Sequence, residues 1–557
     1  MSDARLASET HPPWFSGETP PAEQCVLAQV LRRRAAETPN SVLVSFESGD
    51  AWSCAEAVLR MEAAAELLLA RGVGRGSHVA GWLPNGPELL QLWLGCSFLG
   101  AVFVPLNTDF RGGILGHVLR ECRPALMAIH PLLCERLDAV SEDLPARILA
   151  IGESGVMDST DSGTVEWVAG LPDHPAEAPP AAELGPWDLQ MVIFTSGTTG
   201  PSKGVLCPYG HIYATAQATY GYLRHDDTML TELPIFHVGG AASVVAALVN
   251  GARLAIYAGF STDGYWERIG REGATATSGL IGSMADFLAA APPAPDDADN
   301  SLRMVTLMLT EQAMRVARRF GFHTLSGFNM TELSGPLITE TDCPVAGSLG
   351  RPRAGCECRV VDDHDMPREA GEVGELVVRS EHPWTLFAGY LNRPEATAEA
   401  WRNGWFHTGD LVRCDGNGNY FFVDRKKDAI RRRGENVSSA EVEAEVLAHP
   451  GVTEVCAVAV PSELAEDEIL IAYVVADDNA SADADQSPTP QQLAEFLVPR
   501  MPHYMVPRYF RPMKALPRTP TNKVRKVAIR EDGVGDDCWD REAAGMILKR
   551  TRFTASS

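Results

Sequence analysis

The stretch that most limits how this chain can fold is Met191-Val-Ile-Phe194 with the turn that follows it, Thr195-Ser-Gly-Thr-Thr-Gly-Pro-Ser-Lys203-Gly204. A short apolar run bounded by turn residues reads as a strand buried in a sheet. Glycines and hydroxyl residues in the turn leave backbone N–H groups and hydroxyls free to surround an anion, so the pair reads as a strand delivering a phosphate loop. The spacing is not that of a P-loop ATPase: Gly197 and Gly200 stand too close together, and Gly204 follows Lys203 where Ser or Thr is required. A flexible surface linker has the same composition, so the loop needs support from elsewhere in the chain.

Helix and strand patterns alternate around it. Helical periodicity over Cys25 to Thr38, Ala51 to Arg71, Glu88 to Leu99, Ile114 to Arg120 and Leu132 to Val140 is interleaved with strands at Ser41 to Glu47, Gly76 to Leu83, Ala101 to Pro105, Ala125 to His130 and Ile148 to Ile151. This predicts an α/β fold with a largely parallel sheet. Ser154 to Leu184, acidic and Pro-rich, reads as a peripheral loop. Beyond the phosphate loop come a helix from Tyr209 to Tyr222, a strand from Thr228 to Leu233, and Pro234-Ile-Phe-His237, which opens a further helix. Short alternating strands from Gly347 onward predict a β subdomain. Past Asp424 a charge cluster precedes the helix Ser439 to Ala448 and two strands, enough for a separate small α+β domain. The expected partition is a disordered start over 1–24, a large domain over 25–426, a small one over 427–530 and a tail over 531–557.

Composition removes several function classes. With 48 Lys+Arg against 73 Asp+Glu, a net charge of -25 opposes nucleic-acid binding, although a local basic loop can still take an anionic substrate. The 12 Cys show no paired CxxC sets or zinc-type His spacing and read as reduced, mostly buried thiols. Met1 to Pro21 lacks the apolar core of a signal peptide, and Leu92 to Leu106 is broken by Ser97 and Pro105 and too short to span a bilayer. A soluble cytoplasmic protein without a membrane span is expected; a homodimer is one assembly such a chain can form.

Six further motifs follow the loop in fixed order: Pro234-Ile-Phe-His237, Asn329-Met-Thr-Glu332, Gly404-Trp-Phe-His-Thr-Gly-Asp410, Asp424-Arg-Lys-Lys427-Asp428, Gly434-Glu-Asn436 and Pro520-Thr-Asn-Lys523. Together they resemble the adenylate-forming superfamily of acyl-CoA synthetases, peptide-synthetase adenylation domains and luciferases, over nearly the whole chain. Arg431-Arg-Arg-Gly-Glu-Asn-Val-Ser438 is similar to the run in carnitine or crotonobetaine CoA ligase-like enzymes. The resemblance implies a large N-terminal domain of stacked αβ sheets and a small mobile C-terminal domain. It also implies an AMP-forming acid–thiol ligase that uses MgATP to convert a carboxylic acid to an acyl adenylate, then passes the acyl group to CoA.

The same resemblance assigns roles. Thr195, Ser196, Gly197, Thr198, Thr199, Gly200 and Lys203 would cradle the β and γ phosphates. Glu332 would hold Mg²⁺, a hard cation suited to carboxylate oxygen, and Thr331 would donate to the α-phosphate. Phe328 would stack on adenine, Asp410 would accept both ribose hydroxyls, and Arg425 would reach the ribose. Lys523 would bridge the attacking carboxylate and the α-phosphate, and Lys427 would be the hinge about which the small domain turns between its two half-reactions. His237 would gate the acid pocket and the pantetheine tunnel, with Gly279, Leu280, Ile281, Ser326, Gly327, Phe328, Pro336, Leu337 and Ile338 around it. Gly434 and Glu435 would face the centre in the second half-reaction. Arg431 to Arg433 read either as an anion site for CoA or as a solvated charge run. The family's usual Tyr-Gly before Met-Thr-Glu is here Phe328-Asn329, so the Asn329 side chain is expected to shape the acid pocket.

These motifs describe nucleotide handling better than the second substrate. A small or medium, apolar or aromatic acid transferred to CoA is the leading expectation. An amine, a carrier protein, or nitrite-dependent diazotisation of an aryl amine in secondary metabolism are alternative second steps. A catalytically dead binding protein is disfavoured by intact Lys523, Glu332, Asp410 and Arg425.

Overall fold

The computed structural model describes residues 12–152, 165–177, 179–195, 202–280, 284–425, 429–432, 435–462, 467–475, 487–518 and 524–548. The large domain holds two sheets of parallel character. The first runs Val165–Val168, Ile148–Ile151, Leu126–Ile129, His78–Trp82, Val102–Pro105, Leu189–Thr195, Lys203–Pro208. Its pairings are parallel except the last, where Leu189–Thr195 and Lys203–Pro208 pair antiparallel with Thr195 opposite Lys203. The phosphate loop is therefore the connection of a hairpin at the sheet edge. The second sheet runs His323–Leu325, Met304–Leu307, Ala276–Leu280, Thr228–Thr231, Arg253–Ile256, Val42–Phe46, Ala51–Ser53, antiparallel only in its last pair.

The helices Pro87–Leu99 and Val238–Asn250 are buried without interruption over Leu89–Leu99 and Gly240–Leu248. A helix apolar all round belongs inside, and one buried cluster joins these helices to both sheets. A third, antiparallel sheet runs Gly327–Phe328, Leu337–Ile338, Ser348–Pro352, Tyr420–Arg425, Phe406–Cys414, Val373–Ser380, Cys356–Val361. It is the expected β subdomain, but it starts earlier, at Gly327, so that Phe328 and Asp410 belong to one sheet. The C-terminal part begins with the hairpin Ala429–Arg432 and Glu435–Ser438 and the helix Ser439–Leu447. A four-stranded sheet follows, Val452–Pro461, Asp467–Val475, Tyr509–Pro512, Trp539–Asp540.

Four expectations need correction. Ala51–Ser53 is a strand, and the helix starts only at Cys54, because Ser53 and Glu56 form a capping box in which Ser53 N–H donates to Glu56 at 2.7 Å and Glu56 N–H to Ser53 Oγ at 3.2 Å. Leu132 to Val140 lies in two 3₁₀ segments, Pro131–Arg136 and Asp138–Asp143, rather than one α-helix. The start is ordered from residue 12: Trp14 Nε1 donates to the Gln217 carbonyl at 2.8 Å, and Phe15 is buried against Tyr213. The expected tail is part of the C-terminal sheet, since Trp539–Asp540 pairs with Tyr509 and Phe510, and the buried Arg541 donates to the Pro507 carbonyl. Among the described residues, no helix is long and apolar enough to cross a membrane.

Candidate active site

The second sheet ends its strands Thr228–Thr231, Ala276–Leu280, Met304–Leu307 and His323–Leu325 side by side, and ligands in open parallel sheets bind beyond such carboxyl ends. Gly279 and Leu280 close one of these strands, and Gly279 has φ 116° with the Thr306 carbonyl only 3.0 Å from where a Cβ would sit, so no other residue fits without strain. Ser326 leaves the strand His323–Leu325, two strands from Ala276–Leu280, and is tied to Thr339: its N–H donates to Oγ1 at 3.0 Å and its carbonyl accepts from the Thr339 N–H at 2.9 Å. Pro234 to His237 follows Thr231 and is pinned by Asn85, whose Nδ2 donates to the Leu233 and Tyr257 carbonyls and whose Oδ1 accepts from the Ile235 N–H at 3.0 Å. Asn85 itself sits in a Pro84-Asn85-Gly86-Pro87 stretch between the strand His78–Trp82 and the helix Pro87–Leu99.

His237 caps the helix Val238–Asn250 in extended backbone, which turns its ring outward. There Nε2 lies 3.0 Å from Glu435 of the C-terminal hairpin. These two residues are 198 apart in sequence and come from the large domain and the C-terminal part.

Glu332 is buried, and Tyr390 Oη donates to its Oε1 at 2.8 Å. Lys203 Nζ sits over the Tyr390 ring, 4.8 Å from its centre. One aromatic ring thus carries a cation on its face and a carboxylate at its hydroxyl. Burial, and then the Glu332 charge, push the Tyr390 phenol far above its ordinary range, so it stays a donor. The loop bearing Glu332 is tied down from several sides. Asn329 Oδ1 accepts from the Gly335 N–H at 2.8 Å, and the fully buried His211 donates from Nε2 to the Leu333 carbonyl at 2.8 Å. The buried Arg353 donates to the Ser334 and Gly335 carbonyls and to Ser334 Oγ, with its guanidinium over Phe15. Burial, with a smaller contribution from Arg353, pushes His211 down to about 4 and keeps it neutral.

Asp410 is buried in the strand Phe406–Cys414, directly opposite Arg425 on Tyr420–Arg425. The turn leading to it is held by Thr408 Oγ1, which donates to the Leu376 carbonyl at 2.7 Å, and by the buried Glu375, which accepts from the Gly409 N–H at 3.0 Å and lies 3.2 Å from Arg402. Register thus sets the two proposed ribose contacts on adjacent strands.

Comparison with known proteins now decides the family. Residues 31–391 match the AMP-binding enzyme family and residues 441–523 match the AMP-binding enzyme C-terminal domain. The chain belongs to the AMP-binding enzymes. It is 30% identical over 514 residues, 90% of its length and 97% of the relative's, to the long-chain-fatty-acid–CoA ligase FadD13 of Mycobacterium tuberculosis. It is also 30% identical over 465 residues to the crotonobetaine/carnitine–CoA ligase of Shigella sonnei, covering 81% of this chain and 88% of that one. Among solved structures, o-succinylbenzoate CoA synthetase from Bacillus subtilis with its product analogue OSB-NCoA superposes with a TM-score of 0.74 at 23% identity, over 90% of this chain and 98% of that chain. The same synthetase in complex with AMP superposes at 0.63 and 24% identity, covering 91% and 99%.

The Asn329 side chain is tied to its own loop, with Oδ1 accepting from the Gly335 N–H. One expectation for this AMP-binding enzyme does not hold. Arg432 is no part of an anion site. It is buried, donates to the Tyr504 and Val506 carbonyls and lies 2.6 Å from Glu468, whereas Arg431 faces solvent from the same strand. Ser196, Gly197, Thr198, Thr199, Gly200, Ile281, Lys427, Arg433, Gly434 and Lys523 lie outside the described residues. Phe328, Gly327, Pro336 and Leu337 flank the loop that carries Thr331 and Glu332, with Gly327 opposite Ile338 and Phe328 opposite Leu337. Tyr390, Arg353, His211, Glu375 and Asn85 carry no motif of their own that would have announced them.

Proposed function

We propose that the chain is an ATP-dependent acyl-CoA ligase for a small or medium carboxylic acid, working through an acyl adenylate with release of pyrophosphate. The observation that carries the first half is the Lys203–Tyr390–Glu332 stack beside the phosphate-loop hairpin. Displacing pyrophosphate concentrates negative charge on phosphate oxygens, and preorganised donors and cations stabilise it without reorganising. Lys203 supplies a fixed cation at the loop, and Asp410 orients the ribose by accepting hydrogen bonds from its hydroxyls.

Magnesium suits this donor set. Among the described residues no three His, Cys, Asp or Glu converge as an all-protein cage, and Mg²⁺ commonly takes one or two carboxylates plus substrate phosphate oxygens and water. Glu332 would be that carboxylate, and the ion would neutralise charge on the phosphates. Tyr390, by donating to Oε1, fixes which way the carboxylate points.

In the second half-reaction the acyl carbonyl is attacked by the CoA thiol and AMP leaves. His237, oriented through Nε2 by Glu435, stands at the edge of the acid pocket where the thiol must arrive. Sequence similarity to named CoA ligases over nine-tenths of the chain supports CoA as the acceptor. The test is pyrophosphate release with MgATP across aliphatic, aromatic and amino-aryl acids, each with CoA, nitrite, an amine or no acceptor, with products identified by mass. A CoA-dependent thioester is expected; AMP release that ignores CoA and requires nitrite or an amine would replace the acceptor while leaving adenylation in place.

A further inference from the structure

The residue just before Lys203 is held from two directions. Ser202 is 3% exposed, and both its N–H and its Oγ donate to the same oxygen, Oε1 of Glu441, at 2.7 and 2.6 Å. Its carbonyl accepts from His117 Nε2 at 2.8 Å. His117 belongs to the large domain, on the helix Gly112–Cys122, but Glu441 lies 239 residues away on the helix Ser439–Leu447 of the C-terminal part. One turn further along that helix Glu445, paired with Arg500 at 2.9 Å, packs on Gly113 so closely that a Cβ there would come within 2.4 Å of its Oε1. A single face of the C-terminal helix is therefore seated on the exit stem of the phosphate loop, in the same arrangement in which Glu435 meets His237.

A carboxylate oxygen that takes an N–H and a hydroxyl from a phosphate loop presents the chemistry of a phosphate oxygen. The charge is held there at a cost: burial, with Glu445 adding to it, raises Glu441 to about 7 against the lowering effect of Ser202. A docked carboxylate of this kind holds the N–H and hydroxyl of Ser202 and competes for them with any phosphate oxygen. An N–H or hydroxyl bonded to a charged group contributes enough that its loss shifts an equilibrium by about tenfold or more.

We propose that Glu441 is a positioning residue for acyl transfer: by taking Ser202, the residue before Lys203, it holds the C-terminal helix on the large domain and so stabilises the second-step arrangement in competition with pyrophosphate. The proposal rests on the two-step ligase reading. Adenylate formation, followed by ATP–pyrophosphate exchange, is compared with single-turnover transfer of preformed acyl adenylate to CoA, in the full chain and in Glu441→Ala, Glu441→Gln and Ser202→Ala. In Glu441→Ala, transfer is expected to fall about tenfold while exchange stays within about twofold, and pyrophosphate is expected to inhibit transfer at about tenfold lower concentration. Glu441→Gln keeps an acceptor oxygen and should restore most of the transfer rate. Ser202→Ala combined with Glu441→Ala should slow transfer little more than Glu441→Ala alone, because both remove one contact. Equal loss of exchange and transfer in Glu441→Ala, or unchanged pyrophosphate inhibition, would overturn the proposal. If the unaltered chain forms adenylate but no thioester, it is the CoA reading that fails.

Discussion

The phosphate side and the acceptor side of this centre are built differently. Around Glu332, the anchors described come from the large domain: Tyr390, His211, Arg353 and the Asn329–Gly335 closure, all but one of these side chains buried. Around His237 the decisive partner, Glu435, comes from the C-terminal part, and the His237 side chain is 41% exposed. A centre made inside one packed unit is preorganised before substrate arrives; one made by docking exists only while the two parts meet. On the proposed reading, the Glu332 side of the centre is set by folding of the large domain, whereas the His237–Glu435 contact is set by assembly with the C-terminal part.

The largest expected effect tests the first half of that statement. Glu332→Gln keeps the shape and removes the charge, and loss of a preorganised electrostatic group at developing phosphate charge costs about 10²- to 10³-fold. Adenylation, measured by pyrophosphate exchange, should fall by that much, whereas transfer from preformed adenylate should change far less. Equal loss in both steps would dissolve the division between the sides.

Folding of the phosphate side is next. Because His211 is held at about 4 in the folded chain and has an ordinary value of 6.5, the unfolded chain binds the extra proton between those values. Stability is therefore full above pH 6.5 and lost as pH falls toward 4, by about 3 kcal/mol at 1.36 kcal/mol per unit. Thermal melting across that window should show the loss, and His211→Gln, which can still donate to Leu333, should flatten it. An unchanged slope would mean that other groups govern acid lability.

Much of this division was open to sequence reading, and the part that was not has a physical cause. Glu332, Asp410 and His237 stood out in sequence because the chemistry proposed for them demands particular residue types at motif positions. Tyr390 was not, since its role depends on a contact with Glu332 across 58 residues that no local pattern records. Arg432 was misread because three adjacent arginines look like one patch in sequence. In a strand, successive side chains face opposite ways, and Ala429–Arg432 sends Arg431 to solvent and Arg432 inward. Asn329 shows the same limit: a residue larger than the expected glycine does not say in sequence that its Oδ1 accepts from the Gly335 N–H. The N-terminal segment and the tail looked disordered from composition, yet the buried Phe15 and Arg541 hold them to the fold.

Tyr390→Phe sharpens the comparison within the phosphate side. It removes one hydrogen bond to a charged carboxylate and keeps the ring beneath Lys203, so adenylation should fall about tenfold with folding intact. Its effect should shrink in the Glu332→Gln background, where Tyr390 can at most donate to a neutral amide oxygen rather than to a carboxylate. An additive loss would place Tyr390 in contact with substrate instead.

The smallest expected effect bears on the acceptor side. Glu435→Gln leaves a side chain of equal size beside His237 and removes the charge that orients its ring through Nε2. Because this contact is partly exposed, water replaces much of what is lost, and transfer to CoA should slow by about three- to tenfold, more than adenylation does. His237→Ala should cost more than Glu435→Gln, and adding Glu435→Gln to His237→Ala should cost little further, since a carboxylate with no imidazole to orient has no remaining task in transfer. If instead Glu435→Gln slows adenylation as strongly as transfer, the two sides are not separately assembled, and the docking of the C-terminal part would have to be counted as part of the phosphate site as well.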